Sequence, residues 1–349
     1  MTNEEKIREA IRTSCFKHGE GFLEPQFYSD EIYSSLHDEA TALCKRYASD
    51  ATFFFVDGIA RQAAAVHAPK AVLVYKGMVE HILRLASMLC SVVQTPTPAT
   101  EARIMPWSGR LEQWLSKNDF DSQCPEYWWL SSEEHRTVFD YIVLNLFRFV
   151  VLHEIGHIHH KHGWRRTQHA PNTLQINDLA SETHWIAPPA GGQSGDEIIA
   201  IHAREIVADT FAFGVLTQLY PYDPDTPSHD SRSILENTAF GFASSLTTVA
   251  PYFWSMSVVN KMNEHAQTNK YPTHTFRTQA VESEALRLAD ELNFPQGIEI
   301  LKGAMLTNFD HIAKITGDQS HAQSRLLLND ENHLKHYELV ITEKPNWEN

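Results

Sequence analysis

Cysteine is scarce in this chain of 349 residues, and the four present, Cys15, Cys44, Cys90 and Cys124, form no C-x-x-C pair. Their number and spacing exclude a disulfide scaffold and leave reduced thiols of a cytosolic protein as the expectation. Positive charge is in deficit too: 29 Lys and Arg face 44 Asp and Glu, for a formal net charge of −15. With no long basic run, a general nucleic-acid binder is not expected. The opening residues, Met1-Thr2-Asn3-Glu4-Glu5-Lys6, lack the basic-then-apolar build of a secretory signal, so a cytoplasmic location is expected. Internal repeats and low-complexity tracts are also missing. Apolar residues, by contrast, make up 42% of the chain, which supports a full core in one large domain or two ordinary ones.

One uncharged stretch, Asn237 to Asn260, is long enough for a membrane span. Pro251 and a heavy load of Ser and Thr, from Ser244 to Ser257, favour a buried core helix instead. An integral-membrane protein remains the alternative at this point.

Helical spacing of apolar residues predicts surface helices over 4–14 and 29–48. Thr52-Phe53-Phe54-Phe55-Val56, ended by Asp57-Gly58, predicts a strand, and Ala71-Val72-Leu73-Val74-Tyr75 a second. That second strand is either a plain core strand or an exposed edge able to hold an extended peptide by strand addition. A helix follows from about Met78 to Val93. The segment from Pro98 to Leu130 is irregular, and its Trp107, Trp114, Trp128 and Trp129 either line a groove or anchor a loop. The polar segment Trp164 to Asp196 predicts a long loop. Three consecutive blocks are expected to form one compact α+β, mainly helical unit with a small sheet: residues 1–130, a core over 131–292, and a helical tail over 293–349.

The chemistry is concentrated in Val150-Val151-Leu152-His153-Glu154-Ile155-Gly156-His157. On a helix, His153 and His157 lie about 40° apart on one face and one turn apart along the axis, so both imidazoles can reach one ion. Glu154 sits on the adjoining face, placed for a water rather than for the metal, which is the zinc-hydrolase arrangement with Glu154 as general base. The pentapeptide alone does not decide the matter in a chain with 20 His, and a core helix with two satisfied histidines is the competing reading. Context comes first from the run Phe139 to Leu152, apolar except for Asp140, Asn145 and Arg148, which predicts a buried helix. Ser131 and Glu134 have capping-box spacing near its start.

The second piece of context is Glu205-Ile206-Val207-Ala208-Asp209 on a predicted helix over 198–219. A catalytic zinc with three protein ligands needs one more donor, and Glu205 supplies it. Asp209, on the same face, is placed to accept the free N–H of a ligating imidazole. An exposed acidic pair is the bland alternative, but Ile206, Val207, Ala208, Phe211, Ala212 and Phe213 are core-type neighbours.

Taken in order, these motifs resemble the gluzincin metallopeptidases of the CAAX-prenyl-protease and heat-shock-protease type, and more closely the phage-exclusion Lit-type peptidases. That family runs an apolar helix into H-E-x-x-H with another His five residues on, then E-x-x-A-D, then T-H-P-x-x-x-x-R. The matches are His153, Glu154, His157 and His162, then Glu205, Ala208 and Asp209, then Pro272 and Arg277, over roughly residues 130 to 285. A weaker likeness covers Trp114 to Trp129. Where the family has His before Pro this chain has Tyr271, with His274 displaced to the other side. The metzincin pattern fails, because positions 160 and 163 hold His160 and Gly163. The resemblance implies a zincin-like core and a Zn2+-dependent endopeptidase acting on a protein substrate. In the Lit branch it implies a selective phage-exclusion or toxin-type effector that cuts a host translation factor. It also implies that Arg277, with Tyr271 or His274, serves the oxyanion side of the reaction. A non-catalytic, zinc-stabilised interaction protein is the rival, and for it Glu154 would be dispensable.

Overall fold

A computed structural model describes residues 3–16, 19–25, 31–93, 133–169, 181–183, 195–219, 231–259, 271–293, 295–316 and 330–348. The expectations for Ser131 and for the four tryptophans between 98 and 130, with the weaker likeness there, lie outside the described residues, as does Cys124. Among the described residues the fold is mainly helical with a small mixed sheet, an α+β architecture. Cys15, Cys44 and Cys90 are free thiols.

The chain divides into two compact units, one formed by residues 1–81, 150–212 and 341–349, the other by 82–149 and 213–340.

The first unit is built on a five-stranded sheet. Its strands are β1 (Gly21–Phe22), β2 (Thr52–Asp57), β3 (Ala63–His67), β4 (Lys70–Tyr75) and β5 (Ser181–Thr183), in the spatial order β1-β2-β4-β3-β5. β2 and β4 run parallel, and the other pairs are antiparallel. Phe53 to Val56, Ala63 to Val66 and Ala71 to Tyr75 are buried without alternation. Such continuous apolar runs belong to a sheet covered on both faces. Helix α1 (Asn3–Ser14) packs Ile7 and Ile11 against Phe54, Val56, Leu73 and Tyr75 on one face. Helix α2 (Glu31–Tyr47) sets Tyr33 against Phe55 and His37 against Phe53 on the other.

The expected peptide-binding edge at Ala71 to Tyr75 is corrected by this topology. β4 is hydrogen-bonded to β2 on one side and to β3 on the other, so its backbone groups are already used. Among the described residues the sheet ends at β1 and β5. The long loop expected from Trp164 is also corrected, because helix α5 (His162–His169) and strand β5 fall within it.

Two long helices follow the expected lines, α4 (Glu133–His159) and α6 (Gly195–Gln218). Within the first unit their backbones come close at Gly156, where a Cβ would stand 3.1 Å from Ala208 Cα and 3.2 Å from Phe211 Cδ1. Gly163, just past α4, is similarly tight, since a Cβ there would meet the His67 ring at 2.3 Å. Small residues at both places let α4 and α5 sit close to their neighbours.

The second unit packs α7 (Ser231–Val259), α8 (His274–Glu291), α9 (Pro295–Thr316) and most of α10 (Glu331–Glu343), with α3 (Lys76–Val93) contributing its later turns. Phe149 meets Tyr252 and Phe253, and Phe213 stacks on Phe242. The Asn308 amide donates to the Leu246 carbonyl at 3.0 Å. The uncharged stretch is therefore a core helix, with Phe242, Leu246, Val249, Tyr252 and Met256 all buried. No helix among the described residues is long and apolar enough to cross a membrane.

The crossing at Gly156 yields a stability test. Gly156→Val places a branched side chain where even a Cβ stands 3.1 Å from the Ala208 Cα, and is expected to cost about 1–3 kcal/mol, as overpacking does. Gly303→Ala, in a helix where a Cβ meets nothing within 4 Å, is expected to gain up to about 1 kcal/mol from helix propensity. Thermal unfolding of the two variants should move the melting temperature in opposite directions.

Candidate metal centre

His153 and His157 are fixed by α4 at one-turn spacing, and the close crossing at Gly156 brings Glu205 of α6 opposite them. All three are buried, and they form the group among the described residues that can hold a metal ion. The Nε2 atoms of His153 and His157 are 3.1 Å apart, His153 Nε2 is 3.4 Å from Glu205 Oε2, and His157 Nε2 is 3.7 Å from Glu205 Oε1. Three donors held at about 2.0–2.1 Å around a tetrahedral ion are separated by about 3.3 Å. The observed separations, two of them to different oxygens of Glu205, lie around that value, so the group could hold an ion.

Hydrogen bonding on the far side of each ring decides which nitrogen faces the ion. Asp209 Oδ1 lies 2.9 Å from His153 Nδ1, and as a carboxylate it accepts, so Nδ1 carries the hydrogen and Nε2 can present its lone pair. His157 Nδ1 lies 2.7 Å from His162 Nδ1. The structure thus brings His153, His157 and Glu205 together and places Asp209 behind His153. Glu154 is fully buried and is not one of the three converging donors.

Charge also favours a cation here. Burial alone pushes the His153 imidazole down, but the Asp209 and Glu205 carboxylates outweigh it and raise the group to about 9. Two carboxylates against one imidazole hold a proton tightly, and the same field attracts a divalent ion in its place.

The sequence missed the group behind His157. The sequence pattern matches His162 only through the resemblance, and residues 293–349 read as a helical tail. In the structure a short helical turn, α11 (Pro345–Glu348), lies against this end of α4 and α5. Trp347 is fully buried, its carbonyl is 3.1 Å from His162 Nε2, and the Arg204 guanidinium lies 4.8 Å over its ring. Burial pushes His160 down to about 4, and its Nδ1 donates to the Glu348 carbonyl at 2.5 Å. No signal in the sequence marks a backbone carbonyl so far along the chain.

Tyr271, His274 and Arg277 belong to the second unit. Thr273 caps α8 by accepting the Phe276 N–H, His274 is the first residue of that helix, and the Arg277 N–H bonds the Thr273 carbonyl at 3.0 Å. Tyr271 and His274 are buried, and the Arg277 guanidinium lies 4.4 Å over the Phe253 ring.

Two tests follow from the donor set. Glu205→Ala should remove most of the bound ion, whereas Asp209→Ala should weaken affinity by about 10- to 100-fold, as lost orienting partners do; titration against a competing chelator ranks them, and the reverse order would exchange the two roles. Because a metal must displace the His153 proton, apparent affinity should rise about tenfold per pH unit up to about 9 and level off above it. Calorimetry in buffers of different ionisation enthalpy should record the released proton. No family model, curated protein or solved structure matches this chain, so the reading of the centre rests on its own residues.

Proposed function

We propose that this chain is a zinc-dependent endopeptidase with a zincin-like core that cuts a protein substrate inside the cell. The observation that carries the reading is the buried trio His153, His157 and Glu205, with Asp209 behind one imidazole and Glu154 beside it. Two imidazole nitrogens and one carboxylate, with donor atoms within 4.8 Å of one another, suit zinc, and three protein donors leave a fourth position for the reaction. When bound, zinc supplies a Lewis acid that polarises the scissile carbonyl and acidifies water.

The remaining work falls to the chain. Glu154 takes the proton of the attacking water and returns it to the leaving amine, so one carboxylate serves as base and then as acid. Its burial keeps solvent from competing for that proton. Asp209 holds His153 in one tautomer throughout. The likeness to the Lit-type peptidases supports a single selected protein target, as in a phage-exclusion or toxin-type effector.

Glu154→Gln should retain the metal and abolish hydrolysis. New protein N-termini in cells making the wild type, absent in cells making Glu154→Gln, would support the reading. Equal N-termini in the two, with zinc retained in both, would leave a zinc-stabilised interaction protein instead.

A further inference from the structure

The turn α11 closes a chain of hydrogen bonds that ends on a metal ligand, and its polarity is fixed from the far end. A backbone carbonyl can only accept, so the Trp347 C=O, 3.1 Å from His162 Nε2, requires the hydrogen of the neutral ring on Nε2. His162 Nδ1 is then a lone pair, and His157 Nδ1, 2.7 Å away, must donate to it. With its hydrogen on Nδ1, His157 is left with a lone pair on Nε2, the atom 3.1 Å from His153 Nε2.

We propose that His162 and the turn Pro345–Glu348 are positioning elements of the metal centre. They set the tautomer and orientation of His157 as Asp209 sets those of His153. The proposal rests on the metal reading above and adds a role for residues that reading does not use. A carbonyl relay in place of a second carboxylate is also electrostatically sensible. It orients His157 without adding another negative charge to a pocket that already buries Glu154, Glu205 and Asp209.

The turn is built to hold that carbonyl still. The Trp347 side chain is fully buried, its indole Nε1 donates to Glu343 Oε1 at 2.9 Å, and Arg204, next to the ligand Glu205, covers the ring. The two neighbouring carbonyls are also engaged. Arg165 Nη1 donates to the Asn346 carbonyl at 2.7 Å, and His160 Nδ1 to that of Glu348. Three consecutive carbonyls thus receive side chains from the loop and helix that follow the HExxH motif.

The test uses the full chain and zinc alone, with affinity read by competition against a chromophoric chelator and folding checked by melting temperature. His162→Leu should weaken zinc about 10- to 100-fold. His162→Asn, whose amide oxygen can accept from His157 Nδ1, should recover most of that loss. Trp347→Ala should weaken zinc by a similar factor and Trp347→Phe by less. The double variant His162→Leu/Trp347→Ala should be no weaker than His162→Leu alone, because both act through one ring. Equal affinities for His162→Leu and His162→Asn, or additive losses in the double variant, would overturn the proposal. Selective ¹⁵N labelling of histidine in the zinc-free wild type gives a readout that needs no metal. His157 protonated on Nδ1 with His162 protonated on Nε2 supports the relay, and the opposite tautomers refute it. A wild type with those tautomers that takes up no zinc would sink the metal reading while leaving the relay standing.

Discussion

The near-contact of two helix backbones at Gly156 and Ala208 is the constraint on which the site depends. A helix bearing two histidines can bring only one face to an ion, and the third donor must come from elsewhere at a distance set to a few tenths of an ångström. Side chains of ordinary size hold helix axes 8–10 Å apart. The glycine between the two histidines lets the helix backbones approach there, and Glu205 of α6 lies 3.4 and 3.7 Å from the two imidazoles. The residue that looks like filler in His-Glu-Ile-Gly-His thus sits where the two helices come close.

Around this crossing the protein has arranged a balance of buried charge. Glu154, Glu205 and Asp209 are all removed from water, a costly set unless positive charge is supplied. A proton on His153 is one way to supply it, and a divalent cation is a stronger one. A proton on His153 and a cation would thus answer the same field of buried carboxylates.

How much of this was legible in the chain depends on where the signal resides. The buried helix α4 announced itself as an apolar run, and Glu205 stood out because acids seldom sit among Ile206, Val207 and Phe211 unless something pairs with them. The strand β4 is legible as a strand, but the choice between an edge and a core strand is not. A buried strand has the same apolar pattern whether it has one neighbour or two, since hydrogen-bond partners are backbone groups with no side-chain signature. β3 went unnoticed for a related reason: Ala63-Ala64-Ala65 has helix propensity, and only pairing with β4 overrides it. The contribution of Trp347 lay deeper still, because what it offers is a carbonyl.

The placement of α11 bears on how the protein is made. A growing chain that has reached Asp209 already carries every donor of the trio and the carboxylate behind His153. The carbonyl that faces His162 is synthesised well over a hundred residues later. During translation, then, His153, His157, Glu205 and Asp209 exist for a time without the backbone carbonyl that His162 Nε2 meets in the folded chain.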